Sequence, residues 1–220
     1  VGSYSITIQA VGVGVGKVFN GAKYEFKGSS ERPEPVGEIV FNTDDLSLYI
    51  PLSDDFKTND IINISYNIAK YSYDASGSIL GAIEAENIEI TNSDNYFKTI
   101  DGVRYCVYPL ATAGKYSSIA VSVVRKGSLT SNSTPYADID FNYFGFGDGS
   151  ESNPYGIATA DHLLNISYKP DKNFELISSI DLSGVNFAER LNKFGAIIAN
   201  TFTGTLNGND RSIMGLTDVN

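Results

Sequence analysis

Residues 60–90, "DIINISYNIAKYSYDASGSILGAIEAENIEI", decide how the chain folds. Ile62, Ile64, Tyr66 and Ile68 recur at every second position with mostly polar neighbours, and "SILGAIEAENIEI" follows a short polar break. A period of two lines up one set of side chains on a single strand face, whereas a helix needs apolar residues three and four apart. The β-branched and aromatic residues that fill the stretch suit a pleated, half-buried surface.

The same pattern extends outward. "EIVFN" and "LSLYIPL" precede it, the latter with Leu46, Leu48, Ile50 and Leu52 on one face. "YFKTI", "VRYCVYPL", "YSSIAVSVVRK" and "YADIDFNYF" follow it. Asp101-Gly102 joins the first two of these as a two-residue hairpin, because both positions of such a turn want positive φ. Seven or eight strands at about ten-residue spacing, with no helical period between them, predict an antiparallel β-sandwich over residues 36–145, of immunoglobulin-like or jelly-roll type. The form of this unit is loosely similar to jelly-roll carbohydrate-binding modules.

On the N-terminal side, "SSERPEPVG" at 29–37 carries two prolines that forbid regular pairing, and reads as a linker. Before it, "SYSITIQAV" and "GAKYEFKG" predict two strands within residues 1–30. Gly2, Tyr4, Ile6, Ile8 and Ala10 resemble the closing strand of an immunoglobulin-like or fibronectin type III module. Full strand alternation from the first residues leads us to expect a fragment of a longer protein.

On the C-terminal side, "GFGDGSESNPYG" reads as an entry into a third unit over 146–220. In "TADHLLNISY", Thr159 is a good N-cap, Asp161 lies where the helix dipole favours an acid, and Leu163, Leu164 and Ile166 form a short apolar stripe that Pro170 stops. The segment resembles the opening of GLUG-repeat and related right-handed β-helix regions of bacterial surface proteins. The matching positions are Gly147, Gly149, Ser150, Pro154, Tyr155, Ile157, Thr159, Leu163 and Ile166; then Ile180, Asp181, Leu182, Ser183 and Gly184; then Phe202, Gly204, Thr205, Leu206, Asn207, Gly208, Asn209, Ile213 and Leu216. Asp210 stands where those repeats usually carry glycine. The resemblance implies a helix-capped, β-helix-like unit with turns at Gly204 and Gly208 and an Asx turn at Asn207. Rungs of this kind bury their faces only against one another.

Composition bounds the chemistry. The chain has 220 residues, 42% hydrophobic and 19% charged, with 21 Gly, 14 Tyr, 12 Phe and no Trp. The net charge of −10 leaves no basic stripe for nucleic acid, and residues 36–145 hold most of the imbalance with 14 acidic against 7 basic residues. No apolar run approaches the length of a membrane span. The single cysteine, Cys106, sits in an apolar run and reads as a buried structural thiol. The single histidine, His162, reads as exposed and solvated, and no triad, His-Cys dyad or zinc motif accompanies it.

Asp44 and Asp45, and Asp54 and Asp55, pair carboxylates, and Asp138 and Asp140 sit at alternating positions of a strand, but nothing sets them across one bond as glycoside hydrolysis requires; the adjacent pairs read as turns, with calcium as the cation such oxygens would take. The sequons at Asn63, Asn132 and Asn165 carry little weight, because the resemblance points to a bacterial protein. For ligand binding the candidates are Tyr66, Tyr71 and Tyr73, with Tyr71 and Tyr73 on one face, since apolar sugar faces stack on exposed aromatic rings.

The sequence thus predicts an all-β, non-catalytic segment of a bacterial cell-surface or secreted protein, built for adhesion or structural display, with no cofactor. Its expected partners are glycans or proteins, or neighbouring copies of its own modules. The alternatives are a carbohydrate-binding accessory module of a larger secreted enzyme and a viral or phage decoration protein.

Overall fold

The computed structural model describes residues 31–188 and 201–216. The two strands expected within 1–30 lie outside the described residues. From Val40 to Phe141 the chain forms nine strands: β1 (Val40–Asn42), β2 (Ser47–Pro51), β3 (Ile61–Asp74), β4 (Gly77–Ile90), β5 (Phe97–Ile100), β6 (Val103–Pro109), β7 (Gly114–Val124), β8 (Thr134–Tyr136) and β9 (Ile139–Phe141). They make two antiparallel sheets, one in the order β1-β2-β6-β5 and one in the order β4-β3-β7-β8, with β9 also pairing β7. The protein is therefore an all-β sandwich, as the alternation predicts. Leu48 and Ile50 from one sheet and Ile62, Ile64 and Ile68 from the other are fully buried, as is Leu46 in the β1–β2 turn (φ 55°). Apolar side chains at every second position place both inner faces against each other.

Two turns show why the registers hold. Asp101 (φ 50°) and Gly102 (φ 81°) form the two-residue link from β5 to β6, with Ile100 paired to Val103. The β3–β4 hairpin closes at Asp74, whose carboxylate accepts the Ser76 N–H at 2.7 Å. Both long strands are interrupted by slips. The β3–β4 register shifts between Ala69 and Tyr71, and the β3–β7 register between Ser65 and Asn67, opposite Ser118 at φ 53°. Such bulges bend a strand and raise its twist.

The proline segment crosses as extended chain without regular pairing, yet it is no free linker in the residues described. Pro33, Val36 and Ile39 are buried at a period of three. Arg32 donates to the Thr130 carbonyl at 2.8 Å and Thr134 Oγ1 donates to the Val36 carbonyl at 2.9 Å.

Past Phe141 the pairing changes sense. Strands β10 (Tyr155–Ile157), β11 (Asn173–Leu176) and β13 (Thr205–Asn207) run parallel in one sheet, and β12 (Ile180–Asp181) runs parallel to β14 (Ile213–Met214) in another. This is a β-helix-like stack. Between β10 and β11 lie helix α1 (Ala160–Leu164) and a 3₁₀ turn (Asn165–Tyr168). Thr159 caps α1 by accepting the His162 N–H at 3.2 Å. Leu163 and Ile166 join the core with Ile157, Leu176 and Ile180, so the helix buries its apolar stripe in the same core as the parallel strands.

Gly204 and Gly208 flank β13, and glycine matters at one of the two positions. A Cβ on Gly204 would overlap the Lys172 carbonyl oxygen, so the close approach excludes any side chain. Gly208 faces open space, and the left-handed conformations fall instead on Asn209 (φ 46°) and Asp210 (φ 55°). Asn207 accepts the Asn209 N–H at 3.1 Å, as an Asx turn does. Asp210 thus holds a conformation that strains most side chains, at the site where similar repeats carry glycine. Asp210→Gly should raise stability by about 0.5–1 kcal/mol, seen as slower amide exchange across β13 and β14.

Sandwich and stack share one core. Phe141 of β9 contacts Phe144 (centroids 6.5 Å apart), which stacks on Tyr155 of β10 at 4.2 Å and meets Phe174 of β11 at 5.5 Å. The Tyr155 hydroxyl donates to the Ala111 carbonyl, and the Ala113 N–H to the Gly147 carbonyl at 2.9 Å. Lys169 is buried beside the β1–β2 turn, where its ammonium donates to the Asp45 carbonyl at 3.2 Å. Burial lowers its pKa to about 8.

Candidate functional site

β3 extends past the start of β7, and its last turns of strand carry the tyrosines singled out in the sequence. The Tyr71 N–H donates to the Ala113 carbonyl at 2.8 Å, and the Ala113 N–H donates onward to Gly147. This relay fixes the end of β3 against the loop that enters the stack. Gly147 sits at φ 89°, and a Cβ there would overlap the Pro154 carbonyl, so only glycine lets this loop fold back tightly.

The result is a hollow of about 400 Å³ at the seam between sandwich and stack. Tyr71, Tyr73 and Phe146 give it aromatic surface, and Lys70, Thr112 and Asn153 give it polar groups. The Tyr71 hydroxyl donates to Asp140 of β9 at 2.7 Å. Burial, and then the adjacent Asp140 carboxylate, push the Tyr71 pKa up to about 12, so the phenol stays a donor across the physiological range. A ring pinned by both its backbone and its hydroxyl loses little freedom when a ligand stacks on it.

Tyr66 does not belong to this group. Its ring lies 5.1 Å from that of Tyr116, and burial raises its pKa. Tyr66 packs between the sheets, on the face of β3 that carries Ile64 and Ile68. The structure brings Tyr71 and Tyr73 together and leaves Tyr66 out.

Comparison with family models, curated proteins and solved structures finds no match to this chain. The site must therefore be judged on its own groups. Cys106 is fully buried, and burial pushes its thiol up to about 12, which removes it as a nucleophile near neutral pH. His162 departs from the solvated residue expected. It is half-buried, its Nδ1 accepts the Ala158 N–H at 3.3 Å, and burial lowers its pKa. It braces the start of α1.

Asp44 with Asp45 and Asp54 with Asp55 lie in separate turns, and Asp140 lies on β9. Asp44 donates its N–H to the Asn42 side chain, Asp45 accepts from the Tyr49 hydroxyl at 2.8 Å, and Asp55 pairs with Arg125. Among the described residues no three His, Cys, Asp or Glu side chains are grouped to hold a metal ion. No helix among them is long and apolar enough to cross a membrane.

Phe146, Thr112, Asn153 and Asp140 are the site residues that strand alternation does not point to. Three of them come from connections, where no period marks which side chain faces inward. The one usable signal is Phe146 beside Gly147, an aromatic residue within a glycine run.

Proposed function

We propose that the chain is a non-catalytic binding and display module of a bacterial cell-surface or secreted protein, and that it holds a saccharide in the Tyr71–Tyr73–Phe146 hollow. The observation that carries the proposal is the hollow itself: the aromatic residues Tyr71, Tyr73 and Phe146 with the polar residues Thr112 and Asn153, on a seam held by backbone hydrogen bonds. Sugars offer an apolar face to rings and hydroxyls to polar groups, which is the mixture present here. The parallel stack, with Asn207 at its corner and Gly204 under Lys172, supports kinship with the GLUG-like surface repeats that the sequence resembles. The same hollow suits a carbohydrate-binding accessory module of a larger secreted enzyme.

The test is a glycan array with the 220-residue chain. Any glycan bound should lose at least about tenfold in affinity with Tyr71→Ala and with Tyr73→Ala, the size of one stacking contact removed. Tyr66→Phe should bind as the wild type does. Absence of binding to every glycan, or binding indifferent to both alanine substitutions, sinks the proposal.

A further inference from the structure

Among the described residues β4 is an open sheet edge: this 14-residue strand pairs with β3 on one side and with no strand on the other. Exposed edges offer unpaired N–H and C=O groups to other chains, and proteins blunt them with short strands, lysines, prolines or bulges. β4 carries no lysine and no proline. Its one slip, opposite Lys70, leaves Ile83–Ile90 in regular register. Ile79, Leu80 and Ile83 stand 45%, 44% and 71% exposed along it.

A second hollow, of about 580 Å³, opens beside this edge. Ala69, Leu80, Ile83 and Ile139 floor it, and Asp138 and Lys115 stand at its rim. Cross-strand partners share a face. Ile83 lies opposite Ala69 and Leu80 opposite Tyr71, on the hollow's side, whereas Glu84 and Glu86 lie opposite Ile68 and Tyr66 on the other side.

Acid dominates both sides. Lys70 pairs with Glu84 at 2.5 Å and Lys115 with Asp140 at 3.8 Å, while Glu86, Glu89 and Asp138 have no ion pair among the described residues. A second copy of β4 would bring the same carboxylates to this edge, in a chain of net charge −10. A basic strand meets no such repulsion.

We propose that β4 is a strand-addition site for an extended basic peptide, with the backbone paired to the open edge and one apolar side chain seated in the hollow beside Ile83. Backbone pairing supplies the affinity and the hollow selects alternate side chains, so the partner carries apolar residues at a period of two with Lys or Arg between them.

The experiment titrates the 220-residue chain with a labelled heptapeptide, Lys-Val-Lys-Ile-Lys-Val-Lys, and with its analogue carrying Glu for every Lys. The basic peptide should bind, weaken as salt is added, and slow amide exchange along Gly77–Ile90; the acidic analogue should bind at least about tenfold more weakly. Ile83→Lys should weaken the basic peptide by a similar factor without altering the melting temperature, because the side chain is exposed. Glu86→Gln combined with Glu89→Gln should flatten the salt dependence. Equal binding of both peptides, slowed exchange away from β4, or indifference to Ile83→Lys overturns the proposal. A concentration-dependent dimer that Ile83→Lys abolishes also overturns it, in favour of a second copy on this edge.

Discussion

Tyr155→Ala should destabilise the whole chain by about 3–5 kcal/mol, and the loss should appear in one cooperative transition. Tyr155 has no exposed surface, stacks on Phe144 at 4.2 Å, contacts Phe174 and donates its hydroxyl to Ala111. Truncation removes the ring that joins the sandwich to the stack and leaves a cavity against rings too constrained to collapse into it. Because the core runs unbroken from Ile64 to Phe174, loosening the seam loosens both halves. Urea unfolding should show a lower midpoint, and amide exchange should quicken in β3 and in β11 by similar factors. Exchange quickening in β11 alone would show that the stack unfolds independently. Tyr155→Phe keeps the stacking and loses one hydrogen bond to a buried carbonyl, so its loss should be nearer about 1 kcal/mol.

The sandwich was legible because its signal is local. Ile62, Ile64 and Ile68 lie on one face for reasons contained within seven residues, and Asp101-Gly102 specifies its own turn. The helix was legible for the same reason: Thr159, Asp161 and the Leu163–Ile166 stripe sit within one short segment. Residues 31–39 were less so. Their prolines announce extended chain, but the burial of Pro33, Val36 and Ile39 depends on carbonyls and side chains about a hundred residues away, such as Thr134. Nor does a polar, glycine-rich run such as 145–153 reveal that it folds back on the sandwich, because Gly147 is fixed by Pro154 and Ala113 rather than by its own neighbours.

The candidate site shows the same division. Alternation puts Tyr71 and Tyr73 on one face, and they line one hollow. It puts Tyr66 and Tyr71 on opposite faces, as found, because the extra residue of the slip between Ala69 and Tyr71 falls on β4 and leaves the alternation of β3 intact. Burial separates them further: Tyr66 lies where both sheets overlap, and Tyr71 lies beyond the start of β7. Phe146 and Asn153 reach the hollow through tertiary folding alone.

Arg125→Met should lower the melting temperature by at least about 5 °C at pH 7, with the deficit shrinking in acid. Arg125, just past β7, forks onto Asp60 through Nε (2.8 Å) and Nη2 (2.7 Å), and Nη2 also donates to the Asp55 carbonyl at 2.7 Å. Asp60 is 1% exposed and takes a further N–H from Lys57 at 2.8 Å. Burial raises the Asp60 pKa, but Arg125 and Lys57 more than offset it, and the carboxyl lies below its usual 3.8. Arg125 also draws the Asp55 pKa down. A carboxyl lowered in the folded state binds fewer protons than in the unfolded state as pH falls below 3.8, so its stabilisation is complete above that value and is lost as pH falls through the folded pKa. Methionine keeps much of the stem's packing but leaves Asp60 as a buried, unpaired charge, whose pKa must then rise. Protonating that carboxyl relieves the cost, so wild type and variant should converge as pH drops from 7 toward 3. Thermal melts of both proteins across that range are the measurement. A deficit constant with pH would assign Arg125 a packing role instead of an electrostatic one, whereas convergence would place the buried Asp60 charge at the centre of what holds the β2–β3 loop to the end of β7.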